Sequence, residues 1–184
     1  MILSFRSTAL FAGFMALATA LFASPPAFAH GPTPQRFSLN IHIDAAPQDV
    51  WRMVENPASL AGWHPLVARS STHGTGRGAQ RTVEFVSGGH VVDGIDDINA
   101  DRRNIRWRLS QENIDVMPVS YYTNDLMVTE ADGGSDVTWR ASFFRADTTN
   151  EPEERYSDEA AIKAMESYAR EGLAGLKEFA EAGQ

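Results

Sequence analysis

The stretch 157-SDEAAIKAMESYAREGLAGLKEFAE-181 decides the architecture. Ile162, Met165, Ala169, Leu173, Leu176 and Phe179 recur at intervals of three or four, which draws one apolar stripe along a helix. Ser157 and Asp158 suit its N-cap, and acids follow in the first turn, where the helix dipole favours them. Gly172 and Gly175 interrupt the stripe. Each costs about 1 kcal/mol relative to alanine in a helix interior, so close approach to a neighbouring element is the reason to expect for them. A single amphipathic helix cannot bury its own apolar face and needs a second layer.

The rest of the chain supplies that layer as strands. Phe37, Leu39, Ile41 and Ile43 alternate with Ser38, Asn40, His42 and Asp44, the period of a strand with one buried face. Pro47 ends this strand and suits the first turn of a short helix carrying Val50, Trp51 and Val54. Asn56-Pro57 breaks that helix, and a second helical turn runs to Gly62. Further strands are expected over 66–71, 81–86, 90–99, 105–109, 121–130 and 137–144, separated by Gly- and Asp-rich turns. Such spacing is that of an antiparallel meander. The resulting order is strand, two short helices, six strands and a long helix. A twisted sheet of this size curls, and the helix is expected to lie across its concave face around an interior hollow.

The first 29 residues read as a segment removed before folding. Arg6 precedes the apolar run LFAGFMALATALFA, which Pro25-Pro26 and Ala27-Phe28-Ala29 follow. This is the n-region, h-region and A-x-A order of a secretory signal peptide, and the run is short for a membrane span. The expected organisation is a signal peptide over 1–29, an extended lead-in over 30–36 and one domain over 37–184. The mature protein is then periplasmic or secreted, with no membrane span after cleavage. The full chain carries a formal charge of −8, which argues against nucleic acid or an anionic membrane surface as its main partner. It has no cysteine, so thiolate chemistry and disulfides are excluded. Its two lysines, Lys163 and Lys177, both fall in the long helix and are poorly placed to form a Schiff base in a sheet-lined cavity.

Ile43, Ala45-Ala46-Pro47, Val50-Trp51, Trp63, the Gly74-Thr75-Gly76 turn and Arg81 together resemble the START-like (SRPBCC) superfamily, and within it the polyketide cyclase/dehydrase group. The resemblance implies an α+β helix-grip fold, a curved seven-stranded antiparallel sheet around a long C-terminal helix with an apolar tunnel between them. It also implies a hydrophobic small-molecule ligand, as in the family's binding members, or cyclase or dehydratase activity, as in some others. An exported member is similar in addition to the periplasmic accessory proteins encoded with methanol dehydrogenase, which implies a protein partner.

Trp63-His64-Pro65 is the first candidate site. His64 is either a general base or polar anchor at the tunnel mouth, or a solvated loop residue beside a Trp63 that plugs the apolar end. Under the catalytic reading, Asp93 or Tyr121 is its polar helper. Phe85, Trp107, Tyr121, Tyr122, Trp139 and Phe143 form an aromatic set, and the candidates for a ligand-binding wall are Trp63, His64, Phe85, Trp107, Tyr121, Trp139, Phe143 and Met165. The competing reading of the apolar members is ordinary core. The acidic run 93-DGIDDINAD-101 lacks the spacing of a calcium loop. With Arg102, Arg103, Arg106 and Arg108 beside it, it reads as a solvated face of ion pairs. No cofactor is implied. His30 would be the mature N-terminus, where amine and imidazole could ligate copper with help from His42, His64, His73 or His90. An incidental histidine is the simpler reading. A partner-binding protein with a filled core and no ligand is the remaining alternative.

Overall fold

A computed structural model describes residues 32–183. The expected signal peptide and His30 lie outside the described residues. β1 (Gln35–Ile43) is followed by α1 (Pro47–Val54), a 3-10 turn at Pro57–Ser59 and α2 (Leu60–Trp63). Then come β2 (Val67–His73), β3 (Gln80–Phe85), β4 (His90–Asn99), β5 (Asn104–Gln111), β6 (Val119–Ala131) and β7 (Gly134–Arg145). A second 3-10 turn at Glu154–Tyr156 leads into α3 (Asp158–Ala182). The seven strands form one antiparallel sheet in the order β1-β7-β6-β5-β4-β3-β2. The helix-grip fold expected from the sequence is therefore the observed one, and α3 packs on β1 and β7.

Local chemistry explains the boundaries. Pro47 occupies the first turn of α1, where its missing N–H leaves nothing unsatisfied. The Ser157 hydroxyl caps α3 by accepting from the Ala160 N–H at 3.2 Å. The buried stripe of α3 runs through Ala161, Met165, Tyr168, Ala169, Gly172, Leu173, Leu176 and Ala180. It differs from the expected stripe at its end, because Phe179 is 49% exposed.

Gly172 and Gly175 explain how close α3 comes to its neighbours. A Cβ at Gly172 would lie 2.7 Å from the His64 ring and 2.8 Å from Trp139. One at Gly175 would run into the Trp63 carbonyl oxygen and lie 2.7 Å from Pro65 Cδ. The two glycines thus form a notch that seats Trp63-His64-Pro65 against the helix. Backbone bonds hold the segment from its other side: His64 N–H donates to the Leu60 carbonyl at 2.9 Å, and Val67 N–H to the His64 carbonyl at 3.0 Å.

Candidate functional site in the sheet–helix interior

The inner face of β3 and β4 carries two charged residues. On β3, Arg81 shares parity with the buried Val83 and Phe85; on β4, Asp93 shares it with Val91 and Ile95. The two stand directly opposite across the strand pair. Arg81 is 3% exposed and Asp93 1%. Arg81 Nε and Nη2 both donate to Asp93 Oδ2, at 2.9 and 2.7 Å, and the Tyr122 hydroxyl donates to Asp93 Oδ1. The guanidinium also lies 4.9 Å from the centre of the Trp107 ring, within cation–π range. Burial is the largest influence on Arg81 and lowers its pKa, but the charge and hydrogen bond of Asp93, together with the Tyr168 and Tyr122 phenols, outweigh it and the group is held charged. Burial and the adjacent Asp93 push the Tyr122 phenol well up.

Aromatic rings fill the space between this pair and α3. Trp107 and Trp139 meet edge to face at 5.4 Å, Trp139 and Tyr168 at 5.6 Å, and Phe85 and Tyr168 at 5.9 Å. Tyr168 stacks on His64 at 4.2 Å. Trp139 Nε1–H donates to the buried Asn124 Oδ1 at 2.8 Å. Phe143 and Met165 belong to the same continuous core. The clefts described for the molecule all open at its surface. One, of about 450 Å³, is a groove between Ala61–Val67 and the Gly175–Phe179 turn of α3. Trp107, Trp139, Phe143 and Met165 line none of these clefts. Between α3 and the sheet these rings contact one another.

His64 is not a solvated loop residue, because it is 1% exposed. Its Nδ1 accepts from the Leu66 N–H at 3.3 Å. Its Nε2 faces the Tyr168 carbonyl, which favours a protonated ring, yet forms no hydrogen bond of ordinary geometry. Burial dominates, with the Arg81 charge acting in the same direction, and the pKa falls to about 4. At neutral pH the imidazole is uncharged and a poor proton acceptor. Burial likewise pushes the Tyr168 phenol up.

Tyr121 is a correction. It is 41% exposed, since the inward parity of β6 runs through Tyr122, Asn124, Leu126 and Val128, and an irregularity in the β6–β7 register lies between Val119 and Tyr121. The tyrosine beside Asp93 is Tyr122. Asp93 itself is withdrawn from the solvated acidic face to which the sequence assigned it. The rest of that face behaves as expected, with Asp97–Arg102 at 3.9 Å and an Asp96–Arg108 pair, all partly or well exposed. His42 bonds Asp136 at 2.9 Å and lies 3.2 Å from Asp44. Among the described residues no group of three or more potential ligands could hold a metal ion, and no described helix is long and apolar enough to cross a membrane.

Tyr168 and Asn124 were missed in the sequence, and Arg81 entered only as a mark of resemblance. A signal existed for each. Arg81 and Asp93 stand at core parity on apolar strands, and Tyr168 follows Met165 by three on the buried stripe.

The family model described as polyketide cyclase / dehydrase and lipid transport matches residues 34–181. The chain belongs to this family. No curated protein matches the sequence. Among solved structures, protein XoxI from Bacillus cereus is similar at 23% identity and a TM-score of 0.67, covering 79% of this chain and 94% of that one. Ara h 8.0201 is similar at 14% identity and a TM-score of 0.64, covering 82% and 99%. Truncated norcoclaurine synthase from Thalictrum flavum is similar at 12% identity and a TM-score of 0.58, covering 80% and 93%. At these identities the likeness is one of fold.

Proposed function

We propose that this member of the family is an exported binding protein that takes an apolar small molecule between α3 and the sheet and serves as a periplasmic accessory protein, in the manner of those of methanol oxidation. The observation that carries the binding reading is the Arg81–Asp93–Tyr122 cluster, sealed inside an otherwise aromatic interior. A mostly apolar lining with a few convergent polar groups is the usual composition of a small-molecule site. Stability alone gives little reason for the cluster, since a buried ion pair is often no more stabilising than apolar residues of its volume. The entrance is Trp63-His64-Pro65, which separates the outer groove from Tyr168 and Trp139. Export rests on the n-region, h-region and A-x-A pattern of residues 1–29, and the methanol-oxidation role on the sequence resemblance. The exposed Phe179 beside the groove supports contact with a partner protein. The pKa of His64 favours binding over cyclase or dehydratase chemistry, because a general base works best with a pKa near the operating pH.

Native mass spectrometry of protein released from its own cell envelope tests both parts together. The expected spectrum shows a chain beginning at His30 and carrying a non-covalent apolar adduct. A chain that retains its first 29 residues overturns export. An adduct-free chain that also takes up none of a panel of apolar compounds overturns binding.

A further inference from the structure

The face of the sheet turned away from α3 carries a charge pattern that the interior site does not use. Side chains alternate along each strand, so Arg36 on β1, Arg140 on β7, Thr123 and Asp125 on β6, and Arg106 and Arg108 on β5 all point outward. The strand register sets them in two neighbouring rows. Arg36, Ser142, Thr123 and Arg108 stand opposite one another in the first, and Ser38, Arg140, Asp125 and Arg106 in the second. From β1 to β5 these rows hold four arginines and a single carboxylate. The helix side is the reverse, since α3 carries six carboxylates against three cations, and the whole chain has a formal charge of −8. An acidic molecule thus presents a locally positive face.

Local pairing does not use up these arginines. Arg36 and Arg140 are exposed and form no ion pair among the described residues. Asp125 stands opposite both Arg140 and Arg106 but accepts from Asn104 Nδ2 at 3.1 Å. Its Oδ2 lies 3.6 Å from Arg106 Nε, too long for a hydrogen bond. Only Arg108 is bonded, to Asp96. Between Arg106 and Arg140, Thr123 and Ser142 line an open cleft of about 190 Å³. At the end of the same face the exposed Tyr121 stands opposite Phe144. Arginine and tyrosine are among the residues enriched at the anchoring points of protein interfaces.

Charge spacing decides the kind of partner. A nucleic acid or an anionic membrane presents closely spaced negative charge, which Asp125, Asp96 and Asp97, on or beside the rows, would repel. A protein surface carries its carboxylates singly, so they can meet the free arginines and avoid Asp125. We propose that the outer face of β1, β7, β6 and β5 docks an acidic protein partner, whose carboxylates enter the cleft between Arg106 and Arg140 and pair with Arg36. This surface lies across the sheet from both the interior site and the Phe179 groove, so it stands or falls apart from the interior-binding reading above. The opposite charge of the two sides also orients the molecule as it approaches such a partner.

Amide NMR titrations of the mature protein at low salt test the assignment with four probes: an acetylated octaglutamate peptide, an octaglutamine control, a short oligodeoxyadenylate and phosphatidylglycerol vesicles. Octaglutamate is expected to shift the resonances of Arg36, Arg106, Thr123, Arg140 and Ser142, and octaglutamine to shift none. Physiological salt should weaken octaglutamate by at least about threefold. Arg106→Gln combined with Arg140→Gln should weaken it by roughly fivefold, and Arg170→Gln on α3 should leave it unchanged. These side chains are exposed, and the same spectra report whether the variants fold. Absence of shifts, shifts confined to other surfaces, or no loss in the double variant overturns the proposal. Tighter binding of the oligonucleotide or the vesicles than of octaglutamate overturns the protein partner in favour of a general polyanion surface. None of these outcomes bears on the interior ligand, which the native mass spectrum reads separately.

Discussion

His64 makes the fold sensitive to mild acid, and the magnitude follows from its burial. Its pKa lies at about 4 in the folded chain against 6.5 in an exposed one. The folded state therefore binds the proton more weakly than the unfolded state does. The stabilisation is fully present above pH 6.5 and is lost as pH falls from there towards 4. At 1.36 kcal/mol per pKa unit, the loss is about 2 kcal/mol by pH 5 and about 3 kcal/mol by pH 4. Other groups titrate in this range, so the quantity to measure is a difference. Urea unfolding of the wild type and of His64→Gln at pH 7, 6, 5 and 4 gives the pH dependence of each. The wild type should lose about 2 kcal/mol more than the variant between pH 7 and pH 5. In parallel, NMR of the ring protons should follow His64 with a midpoint near 4. Equal pH slopes for the two proteins, or a His64 midpoint near 6.5, would refute the argument.

Gly172→Ala should destabilise by about 1–3 kcal/mol in urea unfolding, because rigid His64 and Trp139 rings meet the new Cβ and outweigh the gain in helix propensity. Gly175→Ala should cost at least as much, because the atom in the way is a backbone carbonyl. Asp93→Ala should cost about 3–5 kcal/mol by leaving Arg81 buried without a counter-charge, whereas the double change Arg81→Met with Asp93→Leu should cost much less. A single and a double variant of equal stability would contradict the buried-pair reading. Ser157→Ala should cost about 1 kcal/mol through loss of the α3 cap, read as a drop in Tm.

The fold was legible because period and punctuation agreed along the chain. Residues 37–44 alternate, Pro47 stops the strand, and the stripe from Ile162 to Leu176 has helical spacing. Those signals are local, and the elements they mark are the ones found. The site was legible only in part. Asp93 was read with its acidic sequence neighbours instead of with Val91 and Ile95, which share its face. Tyr121 was preferred to Tyr122, although the inward parity of Asn124, Leu126 and Val128 favours Tyr122. The environment of His64 could not be read at all. It depends on a notch in α3 more than a hundred positions away, and only the cost of the two glycines hinted that something lay close.

Several locally unfavourable choices of this sequence gather in one place. Gly172 and Gly175 weaken α3 where it meets residues 63–65. His64 is buried at the expense of acid stability, and its Nε2 and the Trp63 Nε1 go without partners. Arg81 and Asp93 are enclosed as a charged pair. Away from this seam, strand alternation and the Ser157 cap of α3 agree with the fold. Sequences that specify one structure keep such levels consistent, and the exceptions concentrate where function asks for something other than stability. A purely structural core would gain from replacing Arg81 and Asp93 with apolar residues. A docking platform acting only through its outer surface would have no use for them. An interior that opens at Trp63-His64-Pro65 to receive a ligand, as proposed above, accounts for the glycines, the depressed imidazole and the buried charge pair together.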